Sequence, residues 1–130
     1  MIKISGHIRE DHYKTVISNG RNELIADEPT TNNGCDLGFS PTEILCSSLA
    51  ACTCITLRMY ADRKNWNLTE VKAHISFTGN PEKNSSNIKR EIELIGELTH
   101  EQEEQLLQIA NHCPIHKILS NPIEIETTLA

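Results

Sequence analysis

The feature that most limits how this chain can fold is a long stretch beginning at Ser40. Ser40-Pro41-Thr42-Glu43 has the form of a capping box. Ser40 fits the N-cap, Pro41 the first helical position where its missing N–H costs nothing, and Glu43 the third position, reaching back. Beyond Pro41, neither proline nor glycine intervenes until well past Arg63. Up to Leu57 nearly every residue is small or apolar on all sides, so the segment predicts a helix buried all round. Arg58, Asp62, Arg63 and Lys64 mark the end that reaches water. A helix of this kind must pack against a sheet and, by this reading, against a second chain.

Strands flank it. Residues 2–8 and 12–18 alternate, with Arg9-Glu10-Asp11 as the turn between them. Asn19-Gly20 is a hairpin signal leading into a short strand over 23–26. The segment 30–38 is a loop by composition. Two long alternating strands are expected over 68–78 and 87–98, joined by the polar loop 79–86. Thr99-His100-Glu101-Gln102 forms a second capping box for a helix with Leu106, Leu107 and Ala110 on its apolar stripe. Pro114 disfavours helical geometry at Cys113, ends that helix, and opens a short one with Cys113 as N-cap. Residues 123–127 alternate as a final strand. Strands interrupted by helices indicate an α+β class with a mostly antiparallel sheet packed on the long helix.

At 130 residues the chain is expected to form one domain over 1–130. A net charge of −6 with mixed signs disfavours nucleic acid and anionic membranes as partners. No apolar run approaches the ~20 residues of a membrane span by this reading. The first residues lack a signal peptide's apolar stretch, so a cytoplasmic location is expected. Aromatic residues make up only 4% of the chain, leaving an aliphatic core that a homodimer would extend.

The five cysteines read as thiols rather than a disulfide framework. At ~100° per residue, Cys52 and Cys54 point to nearly opposite helix faces, and Cys46 lies about 9 Å along the axis from Cys52. Packing is the expected role of Cys46 and Cys54; Cys35, in its loop, is expected to be exposed. Cys113 as an N-cap would receive backbone N–H groups and the positive end of a helix dipole, which lowers a thiol's pKa. His112, His116 and Lys117 could add positive charge. Cys113-x-x-His116 lacks a second compact ligand pair, so zinc is not expected. A buried-helix thiol at Cys52 and a helix-start thiol at Cys113 together suggest redox chemistry.

Asp27-Glu28-Pro29, the run 34–45 (Gly34-Cys35-Asp36-Leu37-Gly38-Phe39 followed by Ser40-Pro41-Thr42-Glu43-Ile44-Leu45), Ser48-Leu49-Ala50-Ala51-Cys52-Thr53 and Cys113-Pro114-Ile115-His116 resemble the OsmC/Ohr family (organic hydroperoxide resistance) in sequence and order. The resemblance implies an intertwined α+β homodimer with the OsmC-like fold and two sites at the subunit interface. It also implies thiol-dependent reduction of organic hydroperoxides. Cys52 would become a sulfenic acid and Cys113 would resolve it as a disulfide, reduced by an external dithiol such as a lipoylated protein. No other cofactor is implied. An apolar wall around Cys52 would favour alkyl hydroperoxides. Relatives position the thiol with an arginine and a glutamate. Arg9 is the candidate for the first and Arg21 the runner-up. The glutamate position directly after the proline holds Thr42, with Glu43 one step on. The alternative on the same scaffold is a non-peroxidase thiol sensor or a binder of small hydrophobic ligands.

Overall fold

The computed structural model describes all 130 residues, and the chain divides into two compact units, residues 1–46 and 47–130. The first unit carries an antiparallel meander of β1 (Ser5–Ile8), β2 (Thr15–Ser18) and β3 (Glu23–Ala26). Ser5 pairs with Ser18 and Ile8 with Thr15; Thr15 then pairs with Ala26 and Ser18 with Glu23. β1 and β2 are shorter than their alternation suggests. The turn at Asn19-Gly20 spans four residues, closed by Asn19 N–H on the Asn22 carbonyl at 3.2 Å. The Asn19 side chain accepts from the N–H groups of Arg21 and Asn22 at 2.9 and 2.8 Å. Gly20 takes φ +92°, which an L side chain adopts with strain.

The loop after β3 is organised by one carboxylate. Asp27 is buried, and its side chain accepts from the N–H groups of Tyr13 at 3.0 Å, Glu28 at 2.7 Å and Leu37 at 3.1 Å. Its own N–H donates to the Phe39 carbonyl at 3.1 Å. Three chain segments therefore converge on one residue, which explains how a stretch without strands holds its course.

α1 runs Pro41–Lys64. Its cap forms as the sequence predicts, with Glu43 N–H on Ser40 Oγ and Ser40 N–H on Glu43 Oε1, both at 3.3 Å. The expectation of burial on all sides is corrected. Only Leu49, Thr53, Leu57 and Ala61, four residues apart, are buried, while Ile55 and Met59 stay 54% and 59% exposed. A helix presents one stripe to the residues packed on it, here Leu68, Leu106 and Ala110 around Leu57 and Ala61. The membrane-length expectation is also corrected: α1 holds an 18-residue window of mean hydropathy 1.5, long and apolar enough to span a bilayer. Ser, Thr and Cys interrupt the aliphatic run yet lower its hydropathy little.

In the second unit, β4 (Asn67–Asn80) and β5 (Ser85–Glu97) form a long antiparallel hairpin. The two sheets are thus separate, one of three strands and one of two. A bulge at Leu68/Glu70 faces Gly96, whose φ of +148° and close approach to the Asn67 carbonyl leave no space for a Cβ. α2 (His100–Ala110) starts at the Thr99/Gln102 capping box, and α3 (Pro114–Leu119) starts at Cys113. Leu57 and Ala61 of α1, Leu68 of β4, and Leu106 and Ala110 of α2 form the core, with Trp66, Ile92 and Leu94 against it. The final strand expected over 123–127 does not form. Ile123 and Ile125 are 60% and 85% exposed, and the segment pairs with no strand of the chain.

Truncating Leu57 to Ala, at a fully buried core position, is expected to destabilise the chain by about 2–5 kcal/mol, read from urea unfolding. Asp27 supplies a pH test. Burial raises its pKa, but N–H donation from Tyr13, Leu37, Glu28 and Cys35 outweighs this and leaves it below the ordinary 3.8. A depressed folded pKa gives stability that is present above the unfolded value and lost as pH falls through the folded one. Stability should therefore decline as pH drops below about 3.8, and Asp27→Asn should be less stable near neutrality with that acid limb flattened. An unchanged acid limb in the variant would contradict the role assigned to Asp27.

Candidate active site

The second unit brings Cys52 and Cys113 together from opposite halves of its sequence. Cys52 stands half-buried on α1, one position before the buried stripe residue Thr53. Cys113 is fully buried at the N-cap of α3, in extended geometry (φ −62°, ψ 137°), as Pro114 requires of its predecessor. Its sulfur accepts from His116 N–H at 3.2 Å. The two thiols are close enough to act on each other's titration, and Thr56 Oγ1 stands 4.0 Å from the Cys52 sulfur.

These surroundings push the two sulfurs in opposite directions. Burial raises the pKa of Cys52, but the Ile115 N–H, the Cys113 thiol, the Thr56 hydroxyl and the positive charge of Arg90 outweigh it. Cys52 lies below the ordinary thiol value of 9.0. Cys113 is pushed up, first by its burial and then by its hydrogen bond to Cys52 and the charge there, against donation from His116 and Ile115. This corrects the sequence expectation for Cys113. The helix-start amides do reach it, but its complete removal from water and the charge at Cys52 keep it a thiol. The anion is favoured one residue pair away, at Cys52.

The positive charge also has a different source. Burial and the neighbouring Arg90 charge lower the pKa of His116, which is therefore neutral near pH 7. Arg90 places one Nη 3.1 Å from Thr53 Oγ1, and the other 3.0 Å from Asn111 Oδ1 and 3.1 Å from His116 Nδ1. A guanidinium only donates, so Nδ1 of His116 accepts and its proton resides on Nε2. Arg90 was missed in the sequence reading, although a signal exists: Ile88, Arg90, Ile92 and Leu94 alternate along β5 as its half-buried face. A cation in that row demands a partner.

Arg9 lies exposed on the turn after β1 and Arg21 on the β2–β3 turn, both in the first unit. Glu43 holds the α1 cap, and Thr42 is exposed beside it. Cys35 is exposed, with its thiol 3.6 Å from the His12 carbonyl. Cys54 turns away from Cys52 and donates to the Val71 carbonyl at 3.8 Å. The mostly apolar groove beside it, about 420 Å³, is lined by Cys54, Ile55, Met59 and Val71 with Arg58, Thr69 and Glu70, and leaves Cys52 outside. No three His, Cys, Asp or Glu side chains gather closely enough to hold a metal ion.

The opposed shifts set an order of reactivity. Iodoacetamide at neutral pH should label Cys52 well before Cys113, by site-resolved mass spectrometry. Faster labelling of Cys113 would contradict that order.

Residues 32–128 match the family model for OsmC-like proteins. No match was found among curated proteins. Among solved structures, an OsmC-like protein of Mycoplasma pneumoniae superimposes with a TM-score of 0.79 at 19% identity, over 92% of this chain and 87% of that one. An organic hydroperoxide resistance protein OsmC of Legionella pneumophila gives 0.68 at 20% identity, over 92% and 88%. The organic hydroperoxide resistance protein OhrB of Bacillus subtilis gives 0.63 at 17% identity, over 91% and 89%. With its antiparallel hairpins, its long apolar helix and the family match over residues 32–128, this chain belongs to the OsmC-like protein family.

Proposed function

We propose that the chain is a thiol-dependent peroxidase that reduces organic hydroperoxides at Cys52. The observation that carries this reading is the meeting of Cys52 on α1 with Cys113 at the start of α3, two neighbouring thiols of which the first is eased toward its anion and the second kept protonated. The Legionella and Bacillus proteins, named for organic hydroperoxide resistance, support it through the shared fold.

In this mechanism the Cys52 thiolate attacks the terminal peroxide oxygen. An S–O bond forms, the O–O bond breaks, and the alkoxide leaves as an alcohol after taking a proton. The sulfur of Cys52 is oxidised by two electrons and the peroxide is reduced by two. Cys113 then attacks the sulfenic sulfur, a disulfide forms, and water departs with the Cys113 proton. An external dithiol, such as a lipoyl group on a partner protein, returns the pair to thiols by exchange. Cys113 matches the second step because its thiol is buried beside its target rather than competing for the first attack.

The family model runs across the boundary between the two compact units, which supports reading 1–130 as one domain. The exposed Ile55 and Met59 on α1 and the unpaired segment holding Ile125 support a homodimer, in which a second copy covers them. We place the protein in the cytoplasm. The groove beside Cys54 is the observation that favours the second reading, a binder of small hydrophobic ligands without peroxidase activity.

Mass spectrometry after one equivalent of cumene hydroperoxide separates the two. A Cys52–Cys113 disulfide should appear and be absent in Cys52→Ser, while Cys113→Ser should trap the sulfenic acid at Cys52. Two unmodified thiols after a small excess of hydroperoxide would sink the peroxidase reading.

A further inference from the structure

The most unusual side chain of the second unit is the arginine in the half-buried row of β5. Arg90 is flanked along that face by Ile88 and Ile92, and it pairs across the hairpin with Ile75. A cation in such a row is costly unless its donors are met. They are met by Thr53 Oγ1 at 3.1 Å, Asn111 Oδ1 at 3.0 Å and His116 Nδ1 at 3.1 Å. Each partner lies next to a cysteine. Thr53 follows Cys52 on α1, Asn111 is the C-cap of α2 two residues before Cys113, and His116 gives its N–H to the Cys113 sulfur at 3.2 Å. Thr53 is itself fully buried and fixed by donating to the Leu49 carbonyl at 2.7 Å. Its hydroxyl proton is therefore committed, and its lone pair faces the guanidinium.

We propose that Arg90 is the positioning residue of the thiol pair: its fork ties the Cys52 helix to both flanks of Cys113 and so holds the two sulfurs in register. The role needs arginine in particular. Three acceptors on three elements require a planar group with several fixed N–H directions, whereas lysine is a point charge on a flexible stem. The fork and the charge are thus separable. Lysine keeps the charge and loses the fork; methionine loses both.

The inference rests on the redox reading of the pair, and the experiment keeps the two apart. Disulfide closure is driven with diamide, which takes two electrons and two protons from the two thiols and needs no peroxide chemistry. Closure is followed by mass spectrometry in the wild type, Arg90→Lys and Arg90→Met, beside iodoacetamide labelling of Cys52 from about pH 6 to about pH 10. In Arg90→Met, the Cys52 midpoint is expected to rise by about one pH unit or more, with labelling near neutrality falling roughly tenfold. In Arg90→Lys, the midpoint should stay close to the wild type while closure slows, a split that general loosening of the fold would not produce. Asn111→Ala, which removes one arm of the fork, should slow closure without moving the midpoint.

A folded Arg90→Met with wild-type midpoint and wild-type closure overturns the proposal. If Arg90→Met shows no thermal transition, wild-type closure in both Arg90→Lys and Asn111→Ala overturns it instead. A wild-type protein inert to cumene hydroperoxide, yet dependent on Arg90 for closure with diamide, sinks the peroxidase reading and leaves this inference standing.

Discussion

One guanidinium organises the half of the molecule that carries the chemistry. Arg90 bonds to α1 through Thr53, to the end of α2 through Asn111 and to α3 through His116. The aliphatic cluster beneath it, centred on Leu57, Leu106 and Ala110, fixes which faces of α1 and α2 meet. Apolar burial has no direction, however, and would tolerate small slides of one element along another. Directed hydrogen bonds from a planar donor would not. The core thus supplies cohesion and the arginine supplies register, and register is what two thiols that must meet demand.

The same arrangement separates two thiols that differ little in intrinsic chemistry. One helix-start amide, a hydroxyl and a positive charge act on Cys52, while Cys113 is buried deeper and pushed up. His116 contributes through its backbone N–H and as an acceptor for Arg90, not as a cation. A histidine next to a cysteine invites the reading of an acid–base pair. Here its ring is locked by the charge that would otherwise have been assigned to it.

Much of this was legible in the chain. Both capping boxes, the start of α3 at Pro114, the long β4–β5 hairpin and the divergence of Cys52 from Cys54 follow from local rules, because each depends on a few neighbouring residues. What failed to be legible depended on distant ones. The apolar character of α1 is real, but how many of its faces are covered depends on layers that the helix itself does not specify. Residues 123–127 alternate correctly yet pair with no strand of the chain. In sequence Arg90 is only one residue of an alternating strand, since the acceptors that give it meaning lie far away at Thr53, Asn111 and His116. The direction of the Cys113 shift was misread because a local rule, the N-cap, was outweighed by complete burial.

The start of α3 also obeys a strict donor inventory. The Cys113 N–H goes back to the Ala110 carbonyl at 3.3 Å, and Pro114 has none to give. The Ile115 N–H turns to the sulfurs, the His116 N–H to Cys113, and the Lys117 N–H to the Cys113 carbonyl at 3.2 Å. Every amide of that turn is committed, and the ones aimed outward all end on sulfur. A helix start is ordinarily a place where a stray phosphate or carboxylate can settle. With Cys113 as its cap and proline at its first position, this one turns its amides to sulfur instead.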